Sequence, residues 1–300
     1  MIPLSEEEAG EALGREAMLT PVTAVSIDTR TMSEGDLFVA LRGERFDGHD
    51  FVARALSGGA CGAVVDEEWW AHTLASATSD ESESSLTAPE LRCRVYPVPD
   101  TLAALGALAR AVRRRSRATV IAITGSVGKT GTKDLIAALA ARAGGVVSTA
   151  ANQNNEVGVP LTLLSLRADT AVAVVEMGMR GQGQIAALAT VAEPDVGVIT
   201  NIHPVHLELL GSLEHIAEAK AELLASLSAS CVGVIPAGCA PLQGHADVAS
   251  CRILRFALGT EAGYRADVRG TVRQRTEAGG TLLGLAWPGG EAELEVPFVS

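Results

Sequence analysis

A glycine-rich segment with a lysine and a threonine follows an apolar run in the middle of the chain. The segment consists of Gly125, Ser126, Val127, Gly128, Lys129, Thr130 and Gly131. Glycines in such a turn let backbone N–H groups approach phosphate oxygens, and the N-terminus of the following helix attracts anions. The Lys129 ammonium can reach the β- and γ-phosphates of a nucleotide, and the Thr130 hydroxyl can bind Mg²⁺. These residue types predict a nucleotide-phosphate loop.

The loop is a variant of the common P-loop pattern. In the pattern G-x-x-x-x-G-K-[ST], the first glycine would fall at Ile123, whereas the chain has Gly125 two residues later. The backbone can still approach a phosphate closely, because Gly125 and Gly128 remain. The alternative interpretation is a glycine-rich turn from strand to helix that binds no ligand.

Polar side chains follow two later apolar runs. "TAVAVVEM" brings Glu176 to its end, and "DVGVIT" leads into "NIHPVHLE", which contains Asn201, His203 and His206. Because ligands bind outside the carboxyl ends of strands in open parallel sheets, we expect these side chains near the phosphates. Glu176 suits a hard cation that bridges phosphate oxygens, and His206 could be a second metal ligand. The alternatives are a turn cap for Glu176 and a hydrogen-bonded loop position for His206.

Lys220 lies on the apolar face of a predicted helix. Its neighbours three and four positions away are Ile216, Ala217, Leu223 and Leu224. Burial of an unpaired lysine is costly, and burial lowers the lysine pKa, which leaves a neutral and reactive amine. A lysine that extends along the surface to reach water is the alternative.

An amide-rich loop, "NQNNEVGVP", contains Asn155 and Glu156 and separates the first two apolar runs of this region. Dense polar side chains close to a phosphate site indicate ligand contacts. A plain turn fits the same residues.

Short β-branched runs alternate with helical stretches in the second part of the chain. "TVIAIT", "TAVAVVEM", "DVGVIT" and "CVGVI" are nearly continuous in apolar residues, as strands buried on both faces are. The helices between them predict a mostly parallel, doubly wound sheet, and hence an α/β fold. From Cys251 onward, the alternation in "ADVRGTVRQR" and "AELEVPFV" indicates antiparallel strands.

The chain length of 300 residues favours two domains. The strand-like "VSIDTR", "DLFVAL" and "CGAVVD", with the helical "HDFVARALSGGA", indicate a small α/β domain over residues 1–100. A Ser- and Glu-rich segment at 75–90 indicates a loop or linker, and a surface loop inside one domain is the alternative. The second predicted domain covers residues 101–300.

Composition excludes several classes of protein. The net charge of −12 argues against a general affinity for nucleic acids, because these need a basic surface. The five cysteines include no C-x-x-C pair, so free thiols fit them better than a zinc site. The acidic N-terminus does not resemble a secretion signal, and no apolar run reaches the roughly 18 residues that span a membrane. We expect a soluble, cytoplasmic, monomeric protein that does not insert into a membrane.

Several ordered segments together resemble the Mur ligases of peptidoglycan synthesis. They are "TGSVGKTGTK", "NNEVGVPLTLL", "VVEMGMRGQGQIAAL", "PDVGVITNI", "HLELLGS" and "AKAELL". "SIDTRTMSEGDLFVALRGERFDGHDF" is similar to the uridine-nucleotide-binding domain of that family. The "NNEVGVP" and "EMGMRGQGQI" stretches favour members that add D-alanyl-D-alanine to UDP-N-acetylmuramoyl-tripeptide. The resemblance implies an ATP-dependent amide ligase that works through an acyl phosphate.

The resemblance also implies roles for individual residues. The loop around Lys129 would bind ATP, while Thr130 and Glu176 would hold one Mg²⁺. His206 would help to hold a second Mg²⁺, supported by a CO₂-derived carbamate on Lys220. Lys129, Glu176, His206 and Lys220 would thus be the catalytic residues.

Other matching positions would contact the UDP-tripeptide. Asn155 and Glu156 would lie near the acyl phosphate. The residues that match the UDP-sugar contacts are Ser26, Asp28, Thr29, Arg30 and the stretch from Gly43 to His49, which includes Asp47 and Gly48.

The chain also departs from the family pattern. Gly131 stands where relatives often carry Ser or Thr, and "IPAGCAPL" replaces an "NADD"-like stretch. Family members continue beyond "EVPFVS" into a C-terminal ligase domain, so we expect the 300-residue chain alone to have little or no ligase turnover. The alternatives are a non-catalytic module that binds nucleotide and UDP-sugar, another Mur-type ligase, and an unrelated P-loop kinase or ATPase.

Overall fold

The computed structural model of the protein describes residues 1–77, 93–204, 211–259, 265–275 and 280–296. The chain forms two compact units. The first contains Met1–Ala118 and Gly144–Ala173, and the second contains Thr119–Ala143 and Val174–Ser300. The chain passes between the units at three points, after residues 118, 143 and 173. The predicted domain boundary at residue 100 falls inside the first of these units, which continues to Ala118.

The described residues form nine α-helices and thirteen strands. The helices are α1 (Glu6–Ala12), α2 (Val52–Ser57), α3 (Glu67–Ala77), α4 (Thr101–Arg115), α5 (Lys129–Ala140), α6 (Gly158–Leu164), α7 (Gln184–Ala192), α8 (Leu213–Ala225) and α9 (Ala240–Val248), with a 3-10 turn at Gly48–Phe51. The strands are β1 (Val25–Ser26), β2 (Leu37–Val39), β3 (Gly62–Asp66), β4 (Val95–Val98), β5 (Thr119–Thr124), β6 (Gly145–Ser148), β7 (Thr170–Glu176), β8 (Val196–Ile199), β9 (Val232–Pro236), β10 (Arg252–Leu258), β11 (Val268–Arg275), β12 (Thr281–Trp287) and β13 (Gly290–Val296). No described helix combines the length and the apolarity that crossing a bilayer requires.

The first unit contains a four-stranded parallel sheet in the order β1-β2-β3-β4. Its core is formed by apolar residues of β2, β3, β4 and α2, including Phe38, Val65 and Leu56. Asp100 is the N-cap of α4, and its carboxylate accepts N–H groups of the first turn. Helix α4 packs on α6. The Ser- and Glu-rich segment predicted at 75–90 lies mostly outside the described residues, and its first three residues end α3.

The second unit contains a larger sheet in the order β13-β12-β11-β10-β9-β8-β5-β7. Strands β5, β8, β9, β10 and β11 pair in parallel, and β11, β12 and β13 pair antiparallel. The predicted α/β fold with a mostly parallel sheet is confirmed. The prediction of antiparallel strands from Cys251 onward holds only from β11, because β10 still pairs in parallel with both of its neighbours.

Candidate functional site

The glycine-rich loop joins the buried strand β5 to α5. Gly125 and Gly128 have φ angles of 148° and 79°, which lie in the region that favours glycine. A Cβ atom on Gly125 would collide with the Thr200 hydroxyl. Gly128 is the N-cap of α5 and supplies no side-chain cap, so the N–H groups of the first turn are available to an anion. The local geometry is that of a phosphate loop.

Three of the predicted residues meet at this loop. The Lys129 ammonium donates to the Gly125 carbonyl oxygen at 2.9 Å. The Thr130 hydroxyl donates to Glu176 Oε2 at 2.9 Å. Glu176 ends β7, which lies beside β5 in the sheet, and its side chain is buried. A hydroxyl and a carboxylate are the oxygen ligands that Mg²⁺ prefers, so this pair fits one metal ion.

Lys220 lies on the buried face of α8, with only 3% of its surface exposed. Ile216, Ala217, Leu223 and Leu224 on the same face are also buried. The pKa of Lys220 falls to about 8, first because burial disfavours the ammonium and second because the Lys129 ammonium repels it. Lys220 is therefore closer to a neutral amine than an exposed lysine is.

The segment after β8 contacts the loop closely. The Asn201 side chain accepts the Val127 N–H at 3.0 Å and donates to the Val127 carbonyl at 3.0 Å. Ser126 and His203 exchange two hydrogen bonds, at 3.0 and 2.9 Å. His206 lies outside the described residues. Within the described part of the chain, no group of three or more His, Cys, Asp or Glu side chains could hold a metal ion.

A second polar cluster surrounds His49 in the first unit. His49 is buried, and the Asp66 backbone N–H donates to its Nε2 at 3.0 Å. The other ring nitrogen therefore carries the proton and donates to Asp47 Oδ1 at 2.5 Å. Burial would raise the pKa of Asp47, but hydrogen bonds from the backbone and ring of His49 hold this pKa below its usual value. Both ring nitrogens are engaged within the protein, so the geometry favours a positioning role for His49.

Arg42 links this cluster to a cavity. Its Nε lies 3.3 Å from Asp47 Oδ2 and 3.0 Å from Asp66 Oδ2. The cavity has a volume of about 450 Å³ and lies among Leu41, Arg42, Asp66, Glu68, Pro99, Asp100, Thr101, Leu102, Glu156 and Val157. The structure thus brings the predicted Glu156 to the same cavity as Arg42. Sequence reasoning missed Arg42 and Asp66, although the strand-end rule applied to the first sheet points to Asp66.

The other predicted substrate residues are engaged in local contacts. Arg30 donates to both carboxylate oxygens of Asp28, and these hydrogen bonds lower the pKa of Asp28 to about 2. Asn155 accepts the Gly158 N–H at 3.0 Å, at the start of α6. The Ser26 hydroxyl donates to the Asp28 carbonyl. The Gly43 and Gly48 N–H groups donate to the carbonyls of Phe46 and Leu41, respectively. Thr29 belongs to the same turn as Asp28. The cavity lining described above includes none of these residues.

Comparison with known proteins gives two family matches. A model described as Mur ligase middle domain matches residues 123–300, and a model described as Mur ligase family, catalytic domain, matches residues 21–113. The UDP-N-acetylmuramoyl-tripeptide--D-alanyl-D-alanine ligase of Synechocystis is 47% identical over 206 residues, which are 68% of this chain and 41% of that protein. The corresponding ligase of Bacillus subtilis is 39% identical over 82% of this chain and 50% of that protein.

Solved structures show the same likeness. The MurF structure from Acinetobacter baumannii has a TM-score of 0.81 and 29% identity, over 99% of this chain and 61% of that chain. The MurF ligase from Thermotoga maritima in complex with ADP has a TM-score of 0.74 and 27% identity, over 91% of this chain and 57% of that chain. The chain spans about half the length of the two curated relatives.

Proposed function

Because the chain belongs to the Mur ligase family, we propose that it binds ATP and UDP-N-acetylmuramoyl-tripeptide for an ATP-dependent amide ligation with D-alanyl-D-alanine. The observation that carries this proposal is the meeting of Lys129, Thr130 and Glu176 at a loop with open helix N–H groups. The names of the relatives give the two substrates. A cytoplasmic location and a monomeric state belong to the same proposal.

The chain's own residues would position the nucleotide. Lys129 would exchange its bond to the Gly125 carbonyl for contacts with the phosphates, and the first turn of α5 would donate its N–H groups. Thr130 and Glu176 would hold one Mg²⁺, and His206 with Lys220 as its carbamate would hold a second. Bound Mg²⁺ neutralises phosphate charge during phosphoryl transfer, which depends mainly on positioning.

The buried amine of Lys220 suits carbamate formation. With a pKa of about 8, a substantial fraction of the amine is neutral near physiological pH. The neutral nitrogen forms a bond to the carbon of CO₂, and the amine proton passes to water. The product is an anion, so the repulsion between Lys220 and Lys129 becomes an attraction.

The cavity of the first unit would receive part of the UDP-tripeptide. Arg42 provides a cation at the cavity, and Asp47 and Asp66 fix its guanidinium. His49 holds Asp47 through its ring N–H. Glu156 lines the same cavity, on the loop for which the family resemblance implies a place near the acyl phosphate. The γ-phosphoryl group of ATP would move to the tripeptide carboxylate, and the dipeptide amine would then displace phosphate.

The test is ADP release by the chain with Mg-ATP, UDP-N-acetylmuramoyl-tripeptide and D-Ala-D-Ala, each omitted in turn. Binding of nucleotide and UDP-tripeptide is measured in parallel, with Lys129→Ala as the variant expected to lose nucleotide affinity. Phosphoryl transfer or ATP hydrolysis that does not depend on the UDP-tripeptide would overturn the ligase proposal in favour of another P-loop enzyme.

A module that binds nucleotide and UDP-tripeptide without turnover is the second candidate, because the uncapped first turn of α5 and the Arg42 cavity offer groups for binding. Binding of both nucleotides without ADP release would favour this candidate. Turnover that needs all three substrates would exclude it.

A further inference from the structure

The segment Thr200–His203 is fastened to the phosphate loop by hydrogen bonds from both backbones and side chains. The Ser126 N–H donates to the Asn201 carbonyl at 3.1 Å, and Ser126 also exchanges bonds with His203. The Thr200 hydroxyl donates to the Val127 carbonyl at 2.7 Å. Ser126 and Val127 of the loop are therefore hydrogen-bonded to the residues that follow β8.

Asn201 makes the most specific of these contacts. A carboxamide has one acceptor and one donor side by side, and Val127 offers the complementary backbone N–H and carbonyl groups. Asn201 satisfies both, at 3.0 Å each. Because the two partners differ in kind, they also fix which end of the amide is oxygen.

This contact determines which loop groups face a phosphate. The Val127 N–H is held by Asn201, so it does not point at an anion, whereas Gly128 leaves the first turn of α5 without a side-chain cap. The Val127 backbone directly precedes Gly128 and Lys129. Its orientation therefore determines the positions of the α5 N-terminus and of the Lys129 side chain. Rotation of this backbone would displace both.

We infer that Asn201 is a positioning residue that holds the Val127 backbone so that Lys129 and the first turn of α5 are presented to the nucleotide phosphates. The inference rests on the proposed ATP-binding function and adds to it a residue outside the loop. Val127 occupies both the acceptor and a donor of the Asn201 carboxamide. The action of Asn201 passes through Val127.

The first experiment measures amide hydrogen exchange at Val127 in the ligand-free protein. In the wild type this N–H is protected by Asn201, and Asn201→Ala should speed its exchange at least tenfold, while amides in the core of β5 keep their rates. Unchanged exchange at Val127 overturns the inference. Loss of protection throughout β5 also overturns it, since that result would mean general unfolding.

The second experiment measures Mg-ADP affinity of Asn201→Ala and Asn201→Asp between about pH 4 and pH 8, because an ordinary aspartate carboxyl gains its proton near pH 4. We expect Asn201→Ala to weaken binding about tenfold, the effect of losing two ordinary hydrogen bonds. In Asn201→Asp, the ionised carboxylate can still accept the Val127 N–H but cannot donate to the carbonyl. The affinity of this variant relative to the wild type should therefore recover as the pH falls and the carboxyl gains a proton. If Asn201 had only a structural role, the ratio of the Asn201→Asp affinity to the wild-type affinity for Mg-ADP would not change with pH.

Gln243→Ala is the matched control, because it removes a side-chain amide that bonds Asp247 in the same unit, outside the loop. Its Mg-ADP affinity should stay within twofold of the wild type. If the wild-type chain does not bind Mg-ADP, the proposed function fails and this inference fails with it. If the wild type binds and Asn201→Ala binds equally well, only this inference is overturned.

Discussion

At the scale of single residues, the charge of Lys220 affects stability in a pH-dependent way. The pKa of this lysine is about 8 in the folded protein and near 10.5 when the chain unfolds. Between these values the unfolded chain binds more protons, so the free energy of unfolding rises with pH across this window. Below pH 8 the folded protein carries a buried ammonium and bears the full cost of burying it.

Lys220→Met should therefore stabilise the metal-free protein at pH 7. The variant removes the buried charge and keeps an unbranched side chain of similar length. We expect the free energy of unfolding to rise by on the order of 1–3 kcal/mol at pH 7, with a smaller gain as the pH approaches 10.5. Urea denaturation of the variant and the wild type at pH 7 and at pH 10, in CO₂-free buffer with EDTA, measures the gain at each pH.

Lys133→Met is the control for this prediction. Lys133 is also buried, but its ammonium lies 3.2 Å from the Asp134 carboxylate. Removing one partner of an ion pair leaves the other without it, so this variant should not gain stability. A gain in Lys220→Met that stays constant from pH 7 to pH 10 would contradict the assignment of the effect to charge.

Substitutions of His49 and Arg42 should differ in their effects on stability and on UDP-tripeptide binding. Arg42 is half-exposed, so Arg42→Ala should change the free energy of unfolding by less than about 1 kcal/mol while weakening UDP-tripeptide binding at least tenfold. His49→Phe keeps a ring against Trp69 but leaves the Asp66 N–H and the Asp47 carboxylate without this partner. We expect it to cost about 2–4 kcal/mol of stability and to weaken binding as well. Denaturation and calorimetric titration measure the two effects, and equal loss of stability in both variants would contradict the division of roles.

At the scale of elements, the turn from β5 to α5 depends on one glycine. Gly125→Ala would place a methyl group against the Thr200 hydroxyl at a φ of 148°. We expect a loss of at least about 2 kcal/mol in the free energy of unfolding, because both strain and collision oppose the change. Gly131→Ala is the matched control, since nothing lies within 4 Å of its new Cβ and it stands inside α5. The control should be neutral or gain about 0.5–1 kcal/mol. Urea denaturation of both variants checks this contrast, and equal losses would show that the turn is not special.

The elements that the sequence predicted correctly are those with strong local patterns. The runs that became β5, β7, β8 and β9 are apolar and β-branched, and the helix at α8 carries its apolar stripe on the face that the structure buries. Strand β6 was not predicted, because "GVVS" is only four residues long and two of them are exposed. The pairing of β10 was misjudged because every interior residue of that strand is half-buried, which does not distinguish parallel from antiparallel neighbours.

The candidate site remains a prediction, and only some of its residues were visible in the sequence. The glycines and Lys129 of the loop, and Glu176 at the end of a strand, were recognisable from the sequence alone. The amide of Asn201 and the ion pairs of Arg42 were not predictable, because their partners are 74 residues away for Asn201 and, for Arg42, 24 residues away at Asp66. Contacts between residues so far apart in the sequence depend on the order of the strands in each sheet.

At the scale of the whole chain, the first unit is built from two separate stretches of sequence. Residues 144–173 belong with residues 1–118, and α6 packs on α4, whose buried residues include Leu105, Leu108 and Val112. A cut at the predicted boundary near residue 100 removes α4, and a cut after residue 118 removes its partner α6. Either cut exposes apolar surface that the complete unit buries.

We therefore expect fragments 1–100 and 1–118 to lack a cooperative unfolding transition. A fragment that joins 1–118 to 144–173 through a flexible Gly/Ser linker of about ten residues should regain one. The two tryptophans of these fragments, Trp69 and Trp70, pack against the core of this unit, so their fluorescence during urea denaturation reports the transition. A cooperative transition in fragment 1–100 would show that the strands and helices before residue 100 form a domain alone. A featureless curve for the joined fragment would show that the first unit needs residues of the second to fold.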